Sequence, residues 1–213
     1  MESRLIGIRL AILTGLYVAV VCAAQVAANK IVVIPWTSLA VPGGTYLIGV
    51  ALALIELAHH TAPTRREGAL NAQVMIVLGF VASALLAGYI ALVVHSKAAF
   101  SGQPFDQALG STWRIVGASL AAFIVSESID NGLGTWMRGR FPEAARVIGT
   151  NLVSAPLDSF VFITLAFGTG KLELVRNQFL AKMAATVLVG LPLVLAGRRL
   201  MRPETGLKEH PAG

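Results

Sequence analysis

Residues 71–95, NAQVMIVLGFVASALLAGYIALVVH, run for 25 positions without a Lys, Arg, Asp or Glu. A helix needs about 20 predominantly apolar residues to cross the roughly 30 Å hydrocarbon core of a bilayer, so this stretch spans with residues to spare. Backbone amides in lipid must bond within their own segment, which makes helix the form such a run takes there. Segments 8–28, 45–60, 113–136, 147–168 and 174–197 repeat the pattern on either side of it. Segment 45–60 is short and begins in the apolar loop before it. Residues 31–44, with Pro35, Pro42 and the Gly43-Gly44 pair, are too few and too broken to span, and read as a short re-entrant or interfacial hairpin. The expectation is an all-α integral membrane bundle of six transmembrane helices. It occupies residues 1–200 as a single domain, followed by a disordered cytoplasmic tail over 201–213.

Composition agrees. Of 213 residues, 55% are hydrophobic and 13% charged, with a mean hydropathy of +0.72. Soluble domains carry about 25% charged residues, and the halved charge content is the stronger signal. Cys22 is the single cysteine and lies in an apolar stretch, so one chain can form neither a disulfide framework nor a cysteine metal site. A net charge of +6 and a pI near 10 raise the question of nucleic acid. The basic residues sit in short clusters between apolar runs, however, with no aromatic-interleaved basic surface, so nucleic acid is not an expected partner. Small residues over 23–28 resemble a signal-peptidase site. The apolar run before them exceeds the 7–15 residues of a signal h-region, which favours an uncleaved first helix.

Orientation follows from the placement of Lys and Arg. With six spans, the N-terminus, the second and fourth loops and the C-terminal tail share one side. That side holds Arg4, Arg9, Arg65, Arg66, Arg138, Arg140, Arg146, Arg198, Arg199, Arg202 and Lys208, or 11 of the 17 basic residues. Both termini are therefore expected in the cytoplasm, with the chain in the cell (inner or plasma) membrane. Trp36, Trp113 and Trp136 fall near span ends, as an aromatic belt requires; Trp36 is also placed to stack on a ligand.

Charged side chains in a spanning helix cost roughly 2.5–3.5 kcal/mol each on insertion scales. Four of the chain's 11 acids nevertheless lie in such segments: Glu56, Glu127, Asp130 and Asp158. Glu127, Asp130 and Asn131 stand at i, i+3 and i+4 on the fourth span, hence on one face. Asn151, Ser154 and Asp158 stand at i, i+3 and i+7 on the fifth, with Pro156 able to loosen the backbone between them. Gln25 and Asn29 are four apart at the end of the first, and Gln178 and Lys182 repeat that spacing on the sixth. Every span but the third thus offers polar groups, and several polar stripes need a shared interior, which is a polar cavity. Two plainer roles compete. Asn29, Asn131, Ser154 and Gln178 serve equally well as interhelical glue at about 0.6 kcal/mol each, and Lys182 can act as a structural counter-ion to Asp158 or Glu127. Glu56, beside His59 and His60, can be merely interfacial.

Other chemistry finds little support. Gly168-Thr-Gly-Lys171 lacks the first glycine of a phosphate loop and has Leu172 where Ser or Thr is needed. His59 and His60 are adjacent, without a third ligand nearby, so neither zinc nor any other cofactor is expected. Asp130 and Asp158 alone do not make an intramembrane protease, and no nucleophile motif accompanies them.

Several segments, in order, carry a family likeness: Ala28-Asn29-Lys30 closing the first helix, Glu56 near the end of the second, and Ser126-Glu127-Ser128-Ile129-Asp130 in the fourth. The fifth adds Arg146, Gly149-Thr-Asn-Leu-Val-Ser154 and Asp158-Ser159 through Phe162, and the sixth adds Lys182 and Pro192. On these the chain resembles the queuosine precursor transporter family, also called the vitamin uptake transporter-like (VUT) family. The resemblance implies six helices, no enzymatic activity, and uptake of 7-deazaguanine bases such as 7-cyano-7-deazaguanine. Members often carry an Asp one turn before the acid of the second helix; here Leu52 stands there. A guanine-like base presents adjacent N–H groups that one carboxylate accepts together. The expected binding set is Asp158 or Glu127 on that edge, Asn151 and Gln25 on the carbonyl and ring nitrogens, and Phe160 or Trp36 as the stacking face. Asp130 is the first candidate for coupling to protons, and Asn29, Ser154, Lys182 and Glu56 complete the set.

The alternative function is a substrate-binding subunit of an energy-coupling-factor type uptake system, docking through Ala19-x-x-x-Ala23 and Ala23-x-x-x-Ala27. Small residues on the first helix also permit a homodimer.

Overall fold

The computed structural model describes residues 2–59, 61, 64–96, 104–137, 140, 141, 143–193, 195 and 196. The tail over 201–213, the side chains of Glu127, Asp130 and Asn131, and those of the His59-His60 pair lie outside the described set.

Helix α1 (Glu2–Ala27) opens the chain. Asn29 closes it by donating its Nδ2 to the carbonyls of Gln25 (3.2 Å) and Val26 (3.1 Å), two of the acceptors a helix end leaves unsatisfied. Strands β1 (Ile31–Val33) and β2 (Ala40–Pro42) then pair antiparallel, with Ile31 opposite Pro42. The expected hairpin is therefore a two-stranded β-ribbon, and the fold is mostly helical rather than wholly so. A 3₁₀ turn, Gly43–Leu47, runs directly into α2 (Ile48–His59), which gives segment 43–58 as one apolar rod. Glycine is required in that turn. A Cβ on Gly44 would lie 2.3 Å from the Ala24 carbonyl oxygen, and one on Gly43 would lie 2.6 Å from that of Ala27.

Helix α3 (Arg65–Val94) holds the opening stretch of the sequence analysis and starts at Thr64, whose hydroxyl accepts from the Glu67 amide at 3.2 Å. After the short α4 (Pro104–Leu109) come α5 (Thr112–Met137) and α6 (Glu143–Phe167). Gly168 and Gly170, at φ +93° and +83°, turn the chain into α7 (Leu172–Ala185). The Gly-Thr-Gly-Lys sequence is thus a helix-to-helix turn. A π-helical segment, Thr186–Gly190, continues α7.

The helices form two groups with separate cores. Leu13, Tyr17, Leu54, Ala58, Ala72, Met75 and Ile76 bury together among α1, α2 and α3. Ile115, Ala118, Ala122, Phe162, Ile163 and Ala166 bury between α5 and α6, with Ala28 beside them. Helix α7 packs on α6, and its π-helical continuation packs on α2, joining the groups. Polar links close the ends of the bundle. Asn29 donates to the Thr112 hydroxyl (3.0 Å) and accepts from that of Ser111 (2.8 Å), and Arg114 Nε donates to the Leu165 carbonyl at 2.8 Å. At the opposite end Asn71 donates to Thr61 at 3.0 Å.

The outside of the bundle is apolar. Ile12, Leu16, Leu85, Tyr89, Leu92 and Ile124 are all more than half exposed, on three different helices. Such a surface suits lipid rather than water. Among the described residues, four helical stretches are long and apolar enough to cross a membrane, namely Gly7–Ala27, Arg66–Val94, Pro104–Ser126 and Ile148–Phe167; Gly43–Ala58 is shorter.

Candidate functional site

A cavity of about 240 Å³ lies between the two helix groups. Its two walls differ. The N-terminal wall consists of Tyr17, Val21, Ala24 and Ala28 of the α1 end, Ile48, Ala51, Leu52 and Ile55 of α2, and Phe80 of α3. Only Gln25 and Thr45 bring hydrogen-bonding amide or aliphatic hydroxyl groups to that side. The C-terminal wall presents Ser119 and Ser126 of α5, Asn151, Ser154 and Asp158 of α6, and Gln178, Lys182 and Thr186 of the last helix. Phe123 and Phe162 interrupt it with rings.

Each polar residue of that wall reaches the cavity for a local reason. Asn151, Ser154 and Asp158 share one face of α6 by helical spacing. Pro156 removes the amide that would bond the Leu152 carbonyl, within the turn that carries them. Gln178, Lys182 and Thr186 descend the last helix at i, i+4 and i+8, and all three are buried. Lys182 Nζ forms an ion pair with Asp158 Oδ2, the side chains being 11% and 20% exposed. The pair is closed enough that neither partner can lose the other without leaving a charge in low dielectric. Thr186 donates its hydroxyl back to the Lys182 carbonyl at 2.9 Å. Across the cavity, Gln25 Nε2 donates to Ser119 Oγ at 3.0 Å, linking the two walls.

Of the residues the sequence singles out, Gln25, Asn151, Ser154, Asp158 and Lys182 line this cavity. Asn29 does not; it caps α1 and ties it to the start of α5. Glu56 is half-buried on α2 and is not among the lining residues. Phe160 is 50% exposed on the outer face of α6, whereas Phe162, two residues on, is buried and lines the cavity. Trp36 is fully exposed at the tip of the hairpin, at φ +62°. The aromatic faces at the cavity are instead those of Phe80, Phe123, Phe162 and Tyr17. Phe80 and Phe123 meet edge-to-face with ring centres 4.6 Å apart. Thr45, Ser119 and Thr186 were not signalled by the sequence, and Ser126 only as part of the family likeness. Single hydroxyl residues in apolar helices are too common to mark a site. Among the described residues, no three His, Cys, Asp or Glu side chains gather into a metal-binding group.

The hairpin adjoins the same cavity. Its last residue, Pro42, and Gly44 and Thr45 of the following turn belong to the lining. With its amide oriented to satisfy both neighbours, Asn177 of α7 accepts from the Ala40 N–H and donates to the Glu173 carbonyl, both at 3.3 Å. The ribbon is thereby held against the start of α7.

The bundle thus combines an apolar exterior with an interior cavity that has one mainly apolar wall, one polar wall and a buried ion pair. No curated protein and no solved structure matched the chain in comparison. A family model described as "Putative vitamin uptake transporter" matches residues 49–197, from the start of α2 to beyond the π-helical segment. The stretch includes the fifth-span motif and Lys182, which carried the resemblance. The chain is a multi-pass protein of the cell membrane and belongs to the vitamin uptake transporter family.

Proposed function

We propose that this protein imports a neutral, planar, nucleobase-like solute of the 7-deazaguanine class, the queuosine precursors, through a bundle of six spans with both termini in the cytoplasm. The observation that carries the reading is the buried Asp158–Lys182 pair at the wall of the central cavity. The pair has no net charge, so an ion entering beside it would gain little and lose its hydration. Among the described residues, Lys182 is the sole Lys or Arg of the lining and already has a partner, so none of them is free to neutralise a phosphate. The cavity's 240 Å³ falls below the roughly 300–1,000 Å³ of drug-sized ligand sites, which suits one or two fused rings.

Asp158 can serve ligand and lysine together. A carboxylate offers about four lone-pair positions; Lys182 takes one on Oδ2, leaving room for two adjacent N–H groups of a guanine-like edge. Asn151 and Gln25 then read the carbonyl and ring nitrogens, and Phe80, Phe123 or Phe162 supplies the ring contact that Phe160 and Trp36 are not placed to make. Glu127 and Asp130, on α5, are assigned to the same task or to coupling with protons. The test is uptake of 7-cyano-7-deazaguanine in a host that neither makes it nor has its own carrier. Rescue by the wild type, lost with Asp158→Asn, is the expected result. Good membrane expression without rescue would overturn the substrate class.

A second reading, a binding subunit that docks on an energising partner, has one supporting observation: Ala19 and Ala23 lie on the exposed face of α1. Transport by the purified chain alone in liposomes would remove it.

A further inference from the structure

Four buried side-chain atoms among the described residues have no hydrogen-bond partner: Thr45 Oγ1, Ser83 Oγ, Ser159 Oγ and Gln178 Oε1. An orphaned buried acceptor or donor costs about 1–3 kcal/mol, so each calls for a reason. Ser83 and Ser159 are wholly buried and lie outside the cavity lining. Thr45 and Gln178 differ: both line the cavity, while being only 4% and 3% exposed. Their elements, the 3₁₀ turn after the hairpin and α7, pack against each other.

The ladder on the last helix sharpens the contrast. Lys182 is committed to Asp158 and Thr186 to the Lys182 carbonyl. Gln178, the rung nearest the hairpin, keeps a carbonyl oxygen with nothing to accept from. Thr45 faces the cavity because Gly43 and Gly44 let the turn touch the backbone of α1. Two unmatched groups on packed neighbouring elements, both opening into one polar cavity, have the makings of a prepared subsite.

We infer that Gln178 and Thr45 form a second recognition point for the solute at the hairpin end of the cavity, Gln178 Oε1 accepting an N–H and the Thr45 hydroxyl completing the contact. The inference rests on the reading of Asp158 above and extends it. An amide oxygen and a carboxylate both only accept. A ligand that satisfies Gln178 and Asp158 together must therefore carry N–H donors at two separate edges. That selects amino-substituted lactam heterocycles over bases with a single donor edge. It also makes the hairpin part of specificity, since Thr45 is delivered by the turn that follows it.

The experiment has two arms, both on the full chain purified in nanodiscs. Without ligand, Gln178→Met and Thr45→Val remove an unmatched polar atom at nearly constant volume. Each is expected to leave the thermal midpoint unchanged or raise it by a few degrees. A clear fall would show that the groups hold the fold, and would overturn the inference. With ligand, the probes are 7-cyano-7-deazaguanine and its 9-methyl derivative, which lacks the pyrrole N–H, a donor on the far side of ring N3 from the amine and remote from the lactam. Wild type is expected to prefer the parent by about tenfold, and Gln178→Met to bind the two alike. An undiminished preference in Gln178→Met would overturn the inference. If the wild type binds neither probe, the solute class proposed for Asp158 fails, and the ligand-free arm alone decides whether Gln178 and Thr45 are reserved for a solute.

Discussion

The two walls of the cavity come from successive halves of the same apolar chain, yet they are built differently. The α1–α3 wall is, apart from Gln25 and Thr45, mainly a surface of Ala, Val, Leu, Ile and aromatic rings, and α3 contributes only Phe80 among the described residues. The α5–α7 wall carries the ion pair, two of the three amides and most of the hydroxyls. In lipid each buried polar group costs free energy unless matched, so concentrating them on one side keeps their partners within reach of one another. Under the proposed function the difference amounts to a division of labour: one wall mainly shapes the space, and the other supplies most of the groups that would read what fills it.

The comparison can be broken at several points. The largest effect is expected for Asp158→Asn, which leaves Lys182 as an unpaired buried charge. Stability should drop by about 3–5 kcal/mol and uptake by about a hundredfold or more. The double variant Asp158→Asn/Lys182→Met should regain most of the thermal stability and none of the uptake. Recovery of both would make the pair structural and erase the polar wall's role. Next, Gly44→Ala forces a Cβ into the Ala24 carbonyl, 2.3 Å away, and is expected to cost about 1–3 kcal/mol in a thermal melt. An unshifted melt would show that the turn is free to move off α1. Ser119→Ala removes the partner of Gln25 and should weaken solute binding about fivefold, measured by titration calorimetry. The smallest effect belongs to the smooth wall: Ile55→Thr should change binding by no more than about threefold. A loss there as large as that of Asp158→Asn would end the distinction between the walls.

Much of this arrangement was legible in the sequence, for reasons that particular residues make clear. The bilayer imposes length and apolarity, so 71–95 announced α3 before any packing was considered. The i, i+3, i+7 spacing of Asn151, Ser154 and Asp158 holds because α6 is regular enough to keep them on one face, and all three line the cavity. Phe160 is two residues from Asp158, about 200° around a helix of 3.6 residues per turn, whereas Phe162 is a full turn away and on its face. Helical geometry alone thus puts Phe162, not Phe160, on the cavity face. Asn29 is a different case. It lies beyond the end of α1, where four-residue spacing no longer places a side chain beneath Gln25, and it caps the helix instead. The hairpin's strands are three residues each, too short for period-2 alternation to register. The interruption was visible, but its β-pairing was not. Thr45 and Ser119 acquire meaning only through the tertiary contacts of the turn and of Gln25.

The exposed Trp36 has a practical consequence. The chain has three tryptophans, and all sit toward solvent or lipid: Trp36 at 102% exposure, Trp113 at 62% and Trp136 at 58%. None lines the cavity. Tryptophan fluorescence of this protein is therefore a reporter of its periphery, without direct contact with a solute in the cavity. With excitation selective for tryptophan, a shift of the emission maximum on adding solute therefore reports movement of the hairpin or the helix ends rather than occupancy itself.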